Sequence, residues 1–357
     1  MKRKRMLWLP LLALLLGGCS VDFDFGPTSK DSEGGGGGTT SQTGGAVSRD
    51  EANSRVTAAF TNSDIADATT YQQTTLQEVT DDTKEYVNDA LKYHVVENTN
   101  SNVVVKATGL QTDDPVAKVT GELLEDMTED GVETYKLIDN REFYYASEWI
   151  YYHNAARKRY GNPEEPFIDT EVKLKQHMGP TNGQQLAEGL EGFDLGDAPV
   201  PTMFIGSELD VLQQTANITA TKNGRNITVI YSINKDAFIA MMESGLRGIL
   251  FSEEMTSEER AEAEEFLQWY VALLEEVLDL REYKITIGAD GNDHLTQVRA
   301  DFELITTMVY EPSETYPEGY TQVGKLSGFL DMKPKFNEEF TITLPDFSDY
   351  EEGIIFE

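Results

Sequence analysis

"REFYYASEWIYYHNA", residues 141–155, is the densest aromatic run in the chain, and the fold turns on how it is read. Aromatic and β-branched residues favour a strand, and side chains of a strand alternate between faces. Read as one strand, it puts Phe143, Tyr145, Ser147, Trp149 and Tyr151 on one face. Tyr144, Ala146, Glu148, Ile150 and Tyr152 take the other, and Glu148 marks that second face as the wetter one. The first face then points inward. It serves either as plain core or as the wall of an apolar pocket with tyrosine hydroxyls at its mouth.

The flanking segments extend this strand into a sheet. "NVVVKATGL" (102–110), "VAKVTGELLEDM" (116–127) and "ETYKLIDN" (133–140) read as strands, with "TEDGV" (128–132) as a turn. Strands at this spacing with Asp-Gly turns predict an antiparallel meander. Upstream, Ser48-Arg49-Asp50-Glu51 has the capping-box pattern, and Ala52, Val56, Ala59 and Phe60 follow at helical spacing. Residues 161–215 read as loops with a short helix near "QQLAEGL". Residues 217–233 predict a hairpin turning at Asn223-Gly224, with Ile227, Val229, Tyr231 and Ile233 on one face.

Two helices follow. Residues 235–250 carry Phe238, Met241, Met242 and Ile249 at helical spacing behind Asn234 as N-cap. The next starts at Thr256 and Glu259, another capping-box pair, and its stripe is Phe266, Tyr270, Leu273, Leu274, Val277 and Leu278. Residues 281–310 predict a hairpin turning at Asp290–Asp293, and 320–334 and 338–347 predict two closing strands. A sheet with one wet face must cover the other, and the two amphipathic helices are the cover at hand.

The first residues carry a separate message. Met-Lys-Arg-Lys-Arg precedes the uncharged run "MLWLPLLALLL" (6–16), which is too short for a bilayer span of about 20 residues. Charge, a short apolar core and small residues make a secretory leader. Leu16-Gly17-Gly18-Cys19 resembles the lipobox of bacterial lipoproteins. That resemblance implies cleavage after residue 18 and acylation, including palmitate, of Cys19, the one cysteine of the chain. It implies a lipid anchor on the extracytoplasmic face of a cell membrane. Residues 19–47, with "SEGGGGGTTSQTGG", read as a flexible tether with an average span of roughly 30 Å. One folded domain, residues 48–357, follows.

The formal charge is −34, and loss of Lys2, Arg3, Lys4 and Arg5 with the leader takes it to −38. Such a surface repels nucleic acid. Arg157-Lys158-Arg159-Tyr160 is the one dense basic patch of the processed chain, a candidate dock for an anionic headgroup. Of the four histidines, His94, His153, His177 and His294, none pairs at i+3 or i+4, so no zinc-protease pattern exists. No Walker loop or G-x-S-x-G elbow is present, and "DGND" (290–293) lacks the later ligands of a calcium loop. The sequence thus predicts no metal, no cofactor and no enzyme.

The ending "DGNDHLTQVRADFEL…FTITLPDF" and the element order resemble lipoproteins of the LolA/LolB and LppX type. The resemblance implies an α+β fold: a curved antiparallel sheet, a half-barrel, with helices packed on its concave face. It implies a lipid or other apolar ligand held between sheet and helices. The expected lining is Phe143, Tyr145, Trp149, Tyr151, Phe238, Met241, Met242, Phe266 and Tyr270. The alternative is a non-enzymatic scaffold or accessory protein of the cell envelope, whose acidic surface meets a protein partner.

Overall fold

The computed structural model describes residues 47–191, 206–251, 255–312 and 317–355. Cys19 and the residues expected to form the leader and the tether before Val47 lie outside the described residues.

Among the described residues twelve strands form one open sheet. Strands β1 (Thr70–Val87), β2 (Ala90–Thr108), β3 (Val116–Glu129), β4 (Val132–Ala146), β5 (Trp149–Tyr160) and β6 (Ile168–His177) make a first meander. Strands β7 (Asn217–Asn223), β8 (Asn226–Ser232), β9 (Leu278–Ala289), β10 (Leu295–Tyr310) and β11 (Tyr320–Phe336) make a second. The two meanders join where β1 pairs antiparallel with β11, from Tyr71↔Phe336 to Tyr86↔Thr321. A short β12 (Glu351–Glu352) runs parallel to β6 at one edge, β7 forms the other, and the edges do not pair with each other.

This corrects the expected α+β half-barrel with helices lining its concave face. The chain is dominated by a wide open sheet, and helices cover only part of one face. Lengths give the reason. β1 has 18 residues and β2 has 19, about 60 Å each. Helices α4 (Lys235–Leu250) and α5 (Ser257–Val277) have 16 and 21 residues, about 24 and 32 Å. With α1 (Arg49–Asn62) they pack on β7 to β10.

The main core lies under these helices, where Phe238, Met241, Leu267, Tyr270 and Leu274 meet Tyr231, Tyr283, Ile285 and Ile287. A second core sits under the short helix α2 (Gly183–Glu191), whose Leu186, Ala187 and Leu190 cover Tyr71, Val103, Val105, Ala117, Val119 and Tyr145. A short α3 (Gly206–Thr215) adds Leu209 and Leu212 to the first core.

Helix starts match their local signals. Ser48 Oγ accepts from Glu51 N, Asn234 Oδ1 from Ala237 N, and Thr256 and Glu259 form the reciprocal box. The stripe of α5 is centred on Leu267, Tyr270 and Leu274, while Phe266 is 44% exposed beside exposed Trp269. The region read as loops, 161–215, also contains β6 and α3.

The aromatic run is not one strand. It breaks at Ser147-Glu148, a two-residue turn with φ of 49° and 70° that joins β4 to β5. Hairpin turns with two positive φ angles ordinarily take Asn-Gly or Asp-Gly. Asn88-Asp89 and Asp130-Gly131 do the same work elsewhere, with positive φ at both residues. Ser-Glu carries no such signal. Tertiary contacts hold it instead: Met178 N donates to Glu148 O at 2.9 Å, and Glu148 meets His177 at 3.3 Å. The turn reverses the alternation. Tyr145 now faces Ile150, and Phe143 packs ring to ring on Tyr152 at 4.6 Å, all on the helix-bearing inner face. Tyr144↔Tyr151 and Ala146↔Trp149 share the outer face.

Residues 338–347, read as a last strand, join no ladder. At 217–233 the hairpin loop is Gly224-Arg225, one residue later than expected, with φ of 63° at Gly224.

Candidate functional site: a strap over the outer face

The nine residues expected to line one cavity are divided three ways. Phe238, Met241, Met242 and Tyr270 belong to the core under α4 and α5. Phe143 and Tyr145 belong to the core under α2. Trp149 and Tyr151 lie on the opposite face of the sheet, and Phe266 points to solvent.

The outer face carries an arrangement assembled by register. Cross-strand partners form a lateral row Lys335–Gln72–Lys106–Lys118–Tyr144–Tyr151–Lys175 across β11, β1, β2, β3, β4, β5 and β6. Lys106 stands directly opposite Lys118, a like-charge pair offset in part by Glu142 of β4, 3.4 Å from Lys118. The row holds four lysines and no carboxylate, in a chain with 63 acidic and 29 basic residues.

The C-terminal segment runs along this row. Asn337, at φ 58°, turns the chain out of β11, its N–H donating to Thr70 O at 2.9 Å and its Oδ1 accepting from Thr69 N at 2.8 Å. Lys335 pairs with Glu338 at 3.0 Å, and Lys106 Nζ lies 5.8 Å from the Phe340 ring centre. Phe347 stacks on Tyr151 at 3.6 Å and 10°, and meets Tyr144 edge-on at 5.5 Å. Lys118 caps the Tyr144 ring at 4.9 Å. Tyr350 is buried, edge-on to Tyr151 and Phe347. Burial, then the nearby Tyr144 and Glu142, push its hydroxyl up to about 12. Asp349 bonds Lys173 at 2.7 Å, and that bond holds its carboxyl below the usual range. β12 then adds to β6, with Gly353 N donating to Lys175 O at 3.1 Å.

A cleft of about 200 Å³ is lined by Asp113, Asp114, Tyr145 and Glu148, among others. It is below the usual size of ligand pockets. Each histidine lies beside a carboxylate: His94 and Asp82 at 2.8 Å, His153 and Glu171 at 3.2 Å, His177 and Glu148 at 3.3 Å, His294 and Asp290 at 3.7 Å. In the basic patch 157–160, Arg157 and Arg159 clasp the Phe167 ring at 4.8 and 4.7 Å and pair with Asp169 and Glu133. Among the described residues no group of three or more His, Cys, Asp or Glu is placed to hold a metal ion.

Among the described residues Asp81 is the carboxyl most raised toward neutrality. It faces Glu97 across the β1–β2 pair, and Thr83 donates to it at 3.0 Å. Burial, with the Glu97 charge adding to it, raises its pKa from 3.8 to about 6. A folded-state pKa above the unfolded value means the folded chain binds the extra proton between about pH 4 and 6. Stability from this group is therefore greatest below pH 4 and declines as pH rises through 6. Asp81→Asn is expected to stabilise the chain by ~1–3 kcal/mol at pH 7.5 and by nearly nothing at pH 4, in urea unfolding at both. An equal gain at both values would refute the assignment.

No protein-family model matches the chain, and no curated protein matches it. Among solved structures, the translocator domain of autotransporter NalP from Neisseria meningitidis aligns at 10% identity, covering 79% of this chain and 94% of that one. The TM-score is 0.16, so the likeness carries no weight. No helix of the described residues is long and apolar enough to cross a membrane, a statement that does not bear on strands.

Proposed function

We propose that this chain is a lipid-anchored, non-enzymatic scaffold or accessory protein of the cell envelope. Its tether from Cys19 holds a wide acidic sheet clear of the membrane, where a protein partner meets it. The observation that carries this reading is the division of the expected cavity lining. Four of its side chains are packed in one core, two in another, and the remainder lie outside both. A carrier needs apolar walls facing one another across a cavity. A scaffold needs a filled interior and a broad, rigid exterior. The −34 charge favours solubility and disfavours nucleic acid or anionic lipid as the partner.

Native mass spectrometry of the protein extracted from its own membrane tests the reading. The expected mass is that of the processed chain plus acyl groups on Cys19. Crosslinking in intact cells is expected to capture a defined protein partner. One equivalent of a non-covalently held lipid would restore the carrier reading and defeat this one.

A further inference from the structure

The geometry points to the lysine–tyrosine row as a docking track for an extended, acidic, aromatic polypeptide segment of a partner, with the chain's own C-terminal strap as the built-in competitor. The inference rests on the scaffold reading and names the partner's chemistry.

Three observations support it. First, charge is complementary. Residues 337–355 include Glu338, Glu339, Asp346, Asp349, Glu351 and Glu352 and no lysine or arginine. Glu338 pairs with Lys335 and Asp349 with Lys173, the Phe340 ring lies by Lys106, and the segment ends beside Lys175. Charge-assisted pairs of this kind fix register and speed encounter. Second, the strap is held at its ends and little between. Residues 338–346 join no strand, and most are exposed. The far end is fixed by the Phe347–Tyr151 stack, buried Tyr350, the Asp349–Lys173 pair and two residues of β12. Third, those end contacts are those of a bound peptide: aromatic anchors on an aromatic platform, then strand addition at a sheet edge. β12 pairs with only Leu174 and Lys175 of the ten residues of β6, so the strap's hold on this edge is short. A partner segment that makes the same anchor and edge contacts competes with the strap for the track, against the strap's advantage of being tethered.

The test uses the full processed chain and a labelled synthetic peptide of residues 337–355, NEEFTITLPDFSDYEEGII. Asp349→Lys in the chain sets Lys173 against its own strap; Asp349 is exposed, so the fold is retained. The peptide is expected to bind this variant at least tenfold more tightly than the parent chain. In the same background, Tyr151→Ala or the surface change Lys106→Glu is expected to weaken binding at least fivefold, whereas Arg281→Ala, away from the track, leaves it unchanged. Raising salt from 0.05 to 0.5 M is expected to weaken it as well. Amides of 338–346 are expected to exchange far faster than those of β1 and β2. No peptide binding to the Asp349→Lys chain, or binding indifferent to both Tyr151→Ala and Lys106→Glu, overturns the inference. That failure leaves the scaffold reading standing, because crosslinking reports a partner on any surface. Lipid co-purification defeats the scaffold reading without touching the peptide result.

Discussion

Gly328→Val is expected to destabilise the fold by about 3–5 kcal/mol, among the largest effects any single substitution produces. Gly328 sits on β11 opposite Val79 of β1 and Phe302 of β10. A Cβ there would lie 2.0 Å from Glu78 O and 2.9 Å from Val79 Cα, both backbone atoms of β1. Backbone cannot rotate away as a flexible side chain does, so β1 has to separate from β11. That ladder is the one joint between the two meanders in the strand order. Urea unfolding reads the effect as a lower midpoint, or as a chain that fails to fold. Gly189→Ala is the matched control. Gly189 lies in α2 with no atom within 4 Å of its added Cβ, and alanine there is expected to stabilise by about 0.5 kcal/mol. A Gly328→Val chain within 1 kcal/mol of the parent would show that the joint is not tight.

Cys19→Ser is expected to abolish acylation. A buried methylene contributes about 0.8 kcal/mol to membrane partition, a single chain holds only marginally, and two hold firmly. In the proposed anchoring the whole attachment depends on one sulfur. Cells fed labelled palmitate are expected to label the parent chain and the Tyr151→Ala variant equally, and the Cys19→Ser chain at background. The parent's processed N-terminus is expected at Cys19. Equal labelling of the serine variant, or retention of residues 1–18 in the parent, would remove the anchor from the proposal.

The parts of the fold visible in the sequence are those with local physical signals. Ser48, Asn234 and Thr256 each present an acceptor to free N–H groups one turn later, and each begins a helix. Asp130-Gly131 supplies its positive φ angles cheaply, and Asp290–Asp293 turns the β9–β10 hairpin, so both turns fall where expected. Ser147-Glu148 offers no such signal, and missing it carried Trp149 and Tyr151 to the wrong face. That step moved two of the nine expected lining residues to the outer face. "FTITLPDF" has strand composition but finds no neighbour to bond, because Asn337 turns it out over the sheet instead of along it.

The candidate site shows the same division. By itself the sequence determined the acidic balance, the helix starts of α1, α4 and α5 and the alternation within strands, and it predicts the leader and the acylated thiol at position 19. Apart from the overall charge, each depends on residues within a few positions of one another. Tertiary structure alone decided which strands became neighbours, and so placed Lys106, Lys118, Lys175 and Lys335 in one row under an acidic strap. Those lysines come from four strands and are spread over most of the folded chain. No local pattern unites them, since lateral neighbours in a sheet are set by long-range pairing and register.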